Sequence, residues 1–335
     1  MFITEKTDFI ESEFFRRELG IVFQTRNPEE ISEKDEIHAI LTSDLNLWQQ
    51  TLRYRKPKSL AIFLTGNENY HAKTFALLDE FPCIKFAFVQ YLAESQPRIP
   101  FKYLLSVFLS DKKIIFRREL WGALRRARSV QRGIKGLKLI TPTKFLPLGY
   151  TNRFVDEFKL KIELKPNESL LGRMGSGFDI DRICSVVFMG QRGSWYRRRL
   201  INYFTKLPES RIMSYAGWGG NSKSESSTYI DLLLKSHLVL CPPGNLSNET
   251  PRYYEAMALG KIPIISSVSV QDWNDFSYWT TKYGRKFKDK SPQGVYQTLS
   301  QYSSTKMEII SQEIFKYEKS KLEELRSAID YALKE

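Results

Sequence analysis

A loop and a helix that follow a buried strand carry the residue types best suited to bind an anionic ligand. An apolar run ends at Cys241, a loop rich in Pro, Gly and Asn follows, and the pattern predicts a helix over Arg252–Leu259. Asn248 or Thr250 would cap this helix, and Pro251 stands where the first turn of a helix tolerates proline. The unpaired amides of such a helix N-terminus are a common binding site for phosphate groups.

Two side chains of the predicted helix fit the two polar parts of a nucleotide. Arg252 would lie beside a diphosphate, and Glu255, one turn further on, could accept hydrogen bonds from a ribose diol. A solvated helix residue is the alternative for Glu255. The remaining candidates in this loop are Pro243, Gly244, Ser247, Asn248 and Thr250.

A second loop, Gly190-Gln191-Arg192-Gly193, follows the predicted strand Ile183–Met189. Glycines allow the backbone to approach a ligand closely, and the helix N-terminus that follows favours an anion. The spacing is neither that of a P-loop nor that of a dinucleotide fingerprint. We keep Gly190, Gln191 and Arg192 as candidates, with a solvated turn in a basic surface cluster as the alternative.

Alternating strands and helices must position these loops. Period-two and short apolar runs predict strands over Glu36–Thr42, Leu60–Gly66, Ile84–Val89, Ile183–Met189, Arg211–Tyr215, His237–Leu240 and Ile262–Ile265. Helices are predicted over His71–Phe81, Arg117–Val130, Arg252–Leu259 and Met307–Leu333, and another runs through Tyr203. The alternation predicts two α/β domains with mainly parallel sheets.

A looser stretch rich in Pro and Gly separates the two alternating regions. We therefore predict an acceptor-binding Rossmann-like domain over residues 1–150, a linker over residues 151–182, a nucleotide-sugar-binding Rossmann-like domain over residues 183–305, and a C-terminal amphipathic helix over residues 306–335.

The positive charge of the chain is concentrated in one segment. The 335 residues carry a formal net charge of +13, and residues 112–138 contain ten basic residues and one acid. Nucleic acid, an anionic membrane surface and an acidic substrate are three partners that such a segment could bind. Four arginines of the segment share one face of its predicted helix: Arg118, Arg125, Arg128 and Arg132.

Composition excludes several classes of protein. At 42% hydrophobic residues the chain can bury a large core, and no apolar run approaches the roughly 18 residues of a membrane-spanning helix. The three cysteines lie far apart without histidines at metal-ligand spacing, and the N-terminal residues lack the layout of a signal peptide. We expect a cytoplasmic protein, with peripheral attachment at the inner face of the membrane as an extension.

The run from Cys241 to Ile265 resembles the donor-site signature of GT-B glycosyltransferases and is most similar to the exostosin-like family. That family pairs a Cys-Pro-x-Gly loop with an Arg-x-x-Glu-Ala helix and a Gly-x-x-Pro-[IV]-[IV] strand. The segments Leu146–Tyr150 and Val187–Arg192 are similar to their counterparts in bacterial members. The sequence departs from the family at His237, where a Lys is common, and at Lys261, where Cys or Thr is common.

The resemblance implies two Rossmann-like domains facing a cleft, with the nucleotide-sugar held by the second domain. Arg252 would contact the diphosphate, Glu255 the ribose hydroxyls, and the loop 190–193 would approach the phosphates from the other side. Trp218 follows a predicted strand and is a candidate for stacking on the base, with ordinary packing as the alternative.

An inverting transferase needs a general base that deprotonates the acceptor hydroxyl. Glu68 is our first candidate, His71 the second and Asp44 the third, because each follows a predicted strand of the first domain. A solvated loop position is the alternative for all three. Asp179-Ile180-Asp181 has the form of a metal-binding DxD motif, but chance explains it better in a GT-B enzyme, so we predict no obligatory metal and no cofactor.

These observations predict a glycosyltransferase, a hexosyl- or pentosyltransferase, that uses a nucleoside diphosphate sugar with uridine as the expected base. The acceptor would be a surface polysaccharide or a glycolipid at an anionic membrane surface. One alternative is a non-catalytic protein that binds nucleic acid or another anion through residues 112–138, although no nucleic-acid motif supports it. The other alternative is a sugar-phosphate transferase on the same fold.

Overall fold

The computed structural model describes residues 1–6, 11–32, 34–65, 72–90, 140–161, 163–165, 168–171, 184–191, 195–215, 223–242, 250–265 and 291–334. Within these residues the chain forms two sheets, and every pairing between neighbouring strands is parallel. The predicted α/β class with parallel sheets is therefore confirmed, and the arrangement is consistent with a Rossmann-like fold. The division into domains about a cleft stays a prediction.

The first sheet has six strands in the order β2-β1-β3-β4-β5-β6. The strands are β1 (Phe2–Thr4), β2 (Gln24–Thr25), β3 (Ala39–Thr42), β4 (Leu60–Leu64), β5 (Ile84–Val89) and β6 (Thr143–Phe145). All residues of β3 and β4 are buried, because helices and loops cover both faces of a parallel sheet. The carboxyl ends of all six strands lie along one edge, which we call the first carboxyl edge.

Short helices connect the strands of this sheet. They are α1 (Ser12–Phe14), which continues as a π-helical turn over Phe15–Leu19, α2 (Gln49–Arg55) and α3 (Ala72–Glu80). Phe14 is fully buried against Gly149, where a Cβ atom would lie 2.2 Å from the Phe14 ring. Gly149 also has φ +73°, so both the close approach and the backbone require glycine.

The second sheet has four strands in the order β10-β9-β7-β8. The strands are β7 (Cys184–Gln191), β8 (Ser210–Tyr215), β9 (Ser236–Cys241) and β10 (Ile262–Ile265). The helices are α4 (Asn152–Lys159), α5 (Trp195–Phe204), α6 (Lys223–Leu234), α7 (Pro251–Ala258), α8 (Pro292–Leu299) and α9 (Ser304–Lys334). Helix α4 lies inside the segment 151–182 that we predict to be a linker.

The long C-terminal helix α9 contacts both sheets. The Ser311 hydroxyl donates a hydrogen bond to the Gly260 carbonyl beside β10, 2.6 Å away, and the ring centroid of Tyr331 lies 5.7 Å from that of Phe86 on β5. One continuous set of buried apolar side chains includes residues of both sheets, among them Phe63 and Val187. Among the helices that the structure describes, none combines the length and apolar character that crossing a membrane requires.

Candidate functional site

The N-terminus of α7 lies just beyond the carboxyl end of β9, as the sequence predicts. Thr250 is the N-cap residue with extended backbone angles, and Pro251 occupies the first helical position. The Thr250 side chain does not cap the helix, and its hydroxyl is buried without a hydrogen-bond partner among the described residues. A buried hydroxyl that its own helix leaves unused is available to a ligand.

Arg252 reaches from α7 across the end of β7. Its Nε atom donates to the Met189 carbonyl at 2.9 Å, and its guanidinium carbon lies 5.2 Å from the ring centroid of Phe188. A Cβ atom on Gly190 would lie 2.2 Å from Nη2 of Arg252. The structure therefore brings Gly190 and Arg252 together, and the glycine leaves the space that the guanidinium occupies. Since Nε is anchored, both Nη groups remain able to donate to a phosphate.

Glu255 lies one turn further along α7 and is only 6% exposed. Its Oε1 atom accepts a hydrogen bond from the Thr151 hydroxyl at 3.2 Å, and Oε2 accepts one from the Tyr229 hydroxyl at 3.0 Å. Burial raises the pKa of Glu255, and the nearby Arg252 opposes the increase. A solvated position for Glu255 is therefore wrong, and its role toward a ribose stays a prediction.

Thr151 joins Glu255 to the segment that follows the first sheet. Its hydroxyl also accepts a hydrogen bond from the Phe154 amide at 3.3 Å and so caps α4. Our sequence reasoning missed both Thr151 and Tyr229. A Thr before the apolar spacing Phe154, Val155 and Phe158 is a helix-start signal that could have indicated α4, whereas no local signal marks Tyr229.

A pocket of about 190 Å³ lies among these groups. It is lined by the end of β7, the first turn of α7, the middle of α6 and the start of α4: Thr151, Arg153, Phe154, Glu157, Met189, Tyr229, Ile230, Pro251, Arg252 and Glu255. The pocket combines apolar walls with a cation and a buried carboxylate, the composition typical of a small-molecule site.

Asp44, at the first carboxyl edge, already forms a hydrogen bond with a residue close to it in the chain. It is the N-cap of a short 3₁₀ helix, Leu45–Trp48, and its Oδ1 atom accepts a hydrogen bond from the Asn46 amide at 3.0 Å. Its carboxylate thus has the contacts of a capping residue. The first two candidates for a general base, Glu68 and His71, lie outside the described residues.

Two ionisable residues at this edge escaped our sequence reasoning. Lys6 follows β1, and its ammonium group donates to the carbonyl and the hydroxyl of Thr65 at the end of β4, at 2.9 and 2.8 Å. Glu11 lies near Lys6 and is 5% exposed. Burial raises the pKa of Glu11 to about 7, although the Lys6 charge lowers it. Only contacts between distant segments bury these groups, so no local pattern could have found them.

Several other predicted residues lie outside the part of the chain that the structure describes. They are Arg192, Trp218, Pro243, Gly244, Ser247 and Asn248 at the donor loops, and Arg118, Arg125, Arg128 and Arg132 in the basic segment. Gln191 ends β7, and only its backbone is described. The described residues hold no group of three His, Cys, Asp or Glu that could bind a metal, and Asp179 and Asp181 lie outside them.

Comparison with known protein families finds one family that matches part of the chain. Residues 196–323, less than half of the chain, match the family described as RXYLT1 C-terminal domain. The match contains α7 with Thr250, Arg252 and Glu255, and it supports a glycosyltransferase family at a coarse level. A search of curated proteins found no match.

Proposed function

We propose that this protein is a GT-B glycosyltransferase of the exostosin-like type that moves a sugar from a nucleoside diphosphate sugar to an acceptor hydroxyl. The anchored guanidinium of Arg252 at the N-terminus of α7 carries the proposal. It lies inside the segment that matches a glycosyltransferase family, and the glycine at position 190 leaves room for it.

The leaving diphosphate would bind between the first turn of α7 and the end of β7. There the two Nη groups of Arg252 would donate to phosphate oxygens, and the unused Thr250 hydroxyl would supply a further hydrogen bond. The positive end of the α7 dipole adds to this stabilisation. These groups would neutralise the charge that develops as the glycosidic bond breaks, so we propose catalysis without an obligatory metal or other cofactor.

The ribose would bind near Glu255, with uridine as the proposed base. The Tyr229 hydroxyl, the Thr151 hydroxyl and the Thr151 amide donate to the carboxylate, which has about four lone-pair sites. About one acceptor site therefore remains for a ribose hydroxyl. The two protein hydroxyls would hold the carboxylate in one orientation, which favours a specific contact over a mobile one.

The acceptor would be a surface polysaccharide or a glycolipid. The net charge of +13 and the basic segment 112–138 support an acceptor presented at an anionic membrane surface. A cytoplasmic protein attached peripherally to the inner face of the membrane is the location that we propose.

Calorimetric titration with UDP tests the donor site. We expect saturable binding by the wild type and a loss of about 10- to 100-fold in affinity for Arg252→Ala, since a hydrogen bond to a charged group contributes about 1.5–3 kcal/mol. Arg53→Ala is the matched control, because Arg53 forms an exposed ion pair with Glu80 on the far helices α2 and α3. Equal UDP affinity in the two variants, or no binding of UDP by the wild type, would contradict the proposed donor site.

A panel of UDP-hexoses and UDP-pentoses, assayed for release of UDP, identifies the donor. Water takes the place of the acceptor in this reaction, so the assay needs no knowledge of the acceptor. We expect one or a few sugars to be hydrolysed at a rate that Arg252→Ala reduces and Arg53→Ala leaves unchanged.

A further inference from the structure

Glu11 is a buried carboxylate that accepts few hydrogen bonds from the rest of the protein. The buried Glu18, in contrast, accepts hydrogen bonds from Tyr150, Ser169, Leu170 and Leu171, and the half-buried Glu5 accepts them from Thr42, Ser43 and Trp48. Glu11 accepts only from its own backbone amide within the described residues. A carboxyl group 5% exposed with so few donors is costly to retain for structure alone.

The position of Glu11 is that of a reactive group in a parallel α/β domain. Glu11 follows β1 along the chain and interacts electrostatically with Lys6. The ammonium group of Lys6 is bound by Thr65 at the first carboxyl edge, where ligands of such sheets bind, so a fixed positive charge acts on the carboxyl group from that edge. Glu11 is also the N-cap residue of α1, but its side chain does not cap that helix.

The segment that begins with Glu11 contacts the donor helix. The ring of Phe14 lies with its centroid 6.0 Å from that of Tyr254 on α7. The Glu13 amide donates to the Asn152 side chain at 2.8 Å, and the preceding residue, Thr151, donates to Glu255. The backbone that carries Glu11 is thus packed against the helix that carries the diphosphate and ribose groups of the proposed site.

We propose that Glu11 is the general base that deprotonates the acceptor hydroxyl, which makes the enzyme an inverting glycosyltransferase. This inference rests on the proposed function. The carboxylate takes the proton of the hydroxyl, and the oxygen forms a bond to the anomeric carbon of the sugar. The bond from that carbon to the diphosphate breaks at the same time, and the diphosphate leaves with the electron pair. The charge of Lys6 favours the ionised form of the base.

The charges around Glu11 determine the pH dependence. Lys6 faces it, and Glu5 interacts in turn with Lys6. The charged groups of the following turns and of α7 are Glu13, Arg16, Arg17, Glu18, Arg252 and Glu255. Since burial raises the pKa of Glu11 to about 7, the rate should fall as the pH decreases through neutrality.

The test uses the rate of UDP release from the UDP-sugar that the wild type hydrolyses fastest, measured from pH 5 to pH 9. We expect Glu11→Gln to lower kcat by about 100-fold or more and to remove the acidic limb of the profile, with KM and UDP affinity unchanged. Glu80→Gln is the control, because Glu80 is an acid whose exposed ion pair with Arg53 lies on the far helices α2 and α3, and it should keep the limb. Lys6→Gln should move the limb to higher pH, since it removes the charge that favours the carboxylate.

The outcomes separate this inference from the proposed function. A wild type that neither binds UDP nor releases it from any UDP-sugar refutes the proposed function itself. Normal UDP binding together with an unchanged profile in Glu11→Gln refutes Glu11 as the base, and so does retention of anomeric configuration in the released sugar, followed by NMR. Loss of UDP affinity in Glu11→Gln would show a structural role instead. If that variant does not fold, an unshifted limb in Lys6→Gln overturns the proposal.

Discussion

The Glu11→Gln substitution removes a buried acid while it keeps the size and shape of the side chain. It therefore isolates the effect of one ionisation on the free energy of unfolding. The pKa of Glu11 is about 7 in the folded protein, against an ordinary value of 4.5. Since a difference of one unit corresponds to about 1.4 kcal/mol, the maximal effect on stability is about 3 kcal/mol.

The sign of the effect follows from proton binding. Below pH 4.5 the carboxyl group is protonated in both the folded and the unfolded chain, so it does not change the relative stability. Between pH 4.5 and about 7 the unfolded chain releases its proton while the folded chain keeps it, so the free energy of unfolding decreases as the pH rises. Above pH 7 both states are ionised and the loss is complete. Glutamine does not ionise, so the Glu11→Gln variant does not show this decrease in the free energy of unfolding.

Urea denaturation followed by tryptophan fluorescence measures the prediction, and the six tryptophans of the chain supply the signal. We expect wild type and Glu11→Gln to differ little at pH 4, and Glu11→Gln to be more stable by up to about 3 kcal/mol at pH 8. Curves that stay parallel from pH 4 to pH 8, or a variant that is less stable at pH 8, would refute the reasoning.

Glu13→Gln is the control with the opposite sign. Glu13 accepts hydrogen bonds from Arg16 and Arg17 at 2.6 and 2.8 Å. These arginines lower the pKa of Glu13 against the opposing effect of its burial, so its ionised form stabilises the fold above pH 4.5 and this stability is lost as the pH falls through the lowered value. Glu13→Gln should therefore be less stable than the wild type at pH 8.

Three further substitutions test contacts of the candidate site and of the core. Gly190→Ala should displace the Arg252 guanidinium and weaken UDP binding by about 10-fold in calorimetry, since the new Cβ would lie 2.2 Å from Nη2. Tyr229→Phe removes a donor to the buried Glu255 and should lower the free energy of unfolding by about 1–3 kcal/mol in urea denaturation, with weaker UDP binding. Glu18→Ala leaves several buried donors unpaired and should cost about 3–5 kcal/mol of unfolding free energy, whereas UDP binding by the folded fraction should persist.

Several strands could be predicted because short apolar runs or period-two alternation mark them in the sequence. The predicted strand Ile84–Val89 agrees with β5 at both ends, and Ile262–Ile265 agrees with β10. The helix N-terminus at Thr250 could also be predicted from the sequence, since Pro251 and the preceding polar loop are strong signals for the start of a helix. In each case a local pattern specified the element.

The elements that were missed depend on contacts between distant segments. Strands β1 and β2 have only three and two residues, too few for a periodic signal. Strand β1 forms because β3 offers an edge for pairing, and β2 pairs in turn with β1. Strand β6 and helix α4 lie in a stretch whose prolines and glycines predict irregular structure. Thr151 stabilises α4 by capping it and by bonding to Glu255, which lies 104 residues further along the chain.

The candidate site was predictable to the extent that it lies on one element. Arg252 and Glu255 share a helix whose signals are local, whereas the partner of each comes from elsewhere: Met189 from β7, and Tyr229 from α6. Glu11 was even less predictable from the sequence. A single glutamate near the N-terminus has no feature in the sequence that separates it from its neighbours Glu5 and Glu13, and only burial distinguishes it.

Three buried carboxylates differ in the number of hydrogen bonds that they accept, and this number distinguishes a structural role from a reactive one. Glu18 accepts from two side chains and two backbone amides, so a proton or a ligand would have to displace bonds that hold the fold. Glu255 accepts from two hydroxyls and the Thr151 amide and keeps about one lone pair for a ligand. Glu11 accepts only from its own amide among the described residues, so its proton can exchange at little structural cost. Burial of Glu11 lowers the stability of the fold, and the same burial raises the pKa of the proposed base to near neutral pH. A variant that recovers this stability should therefore lose the transfer activity.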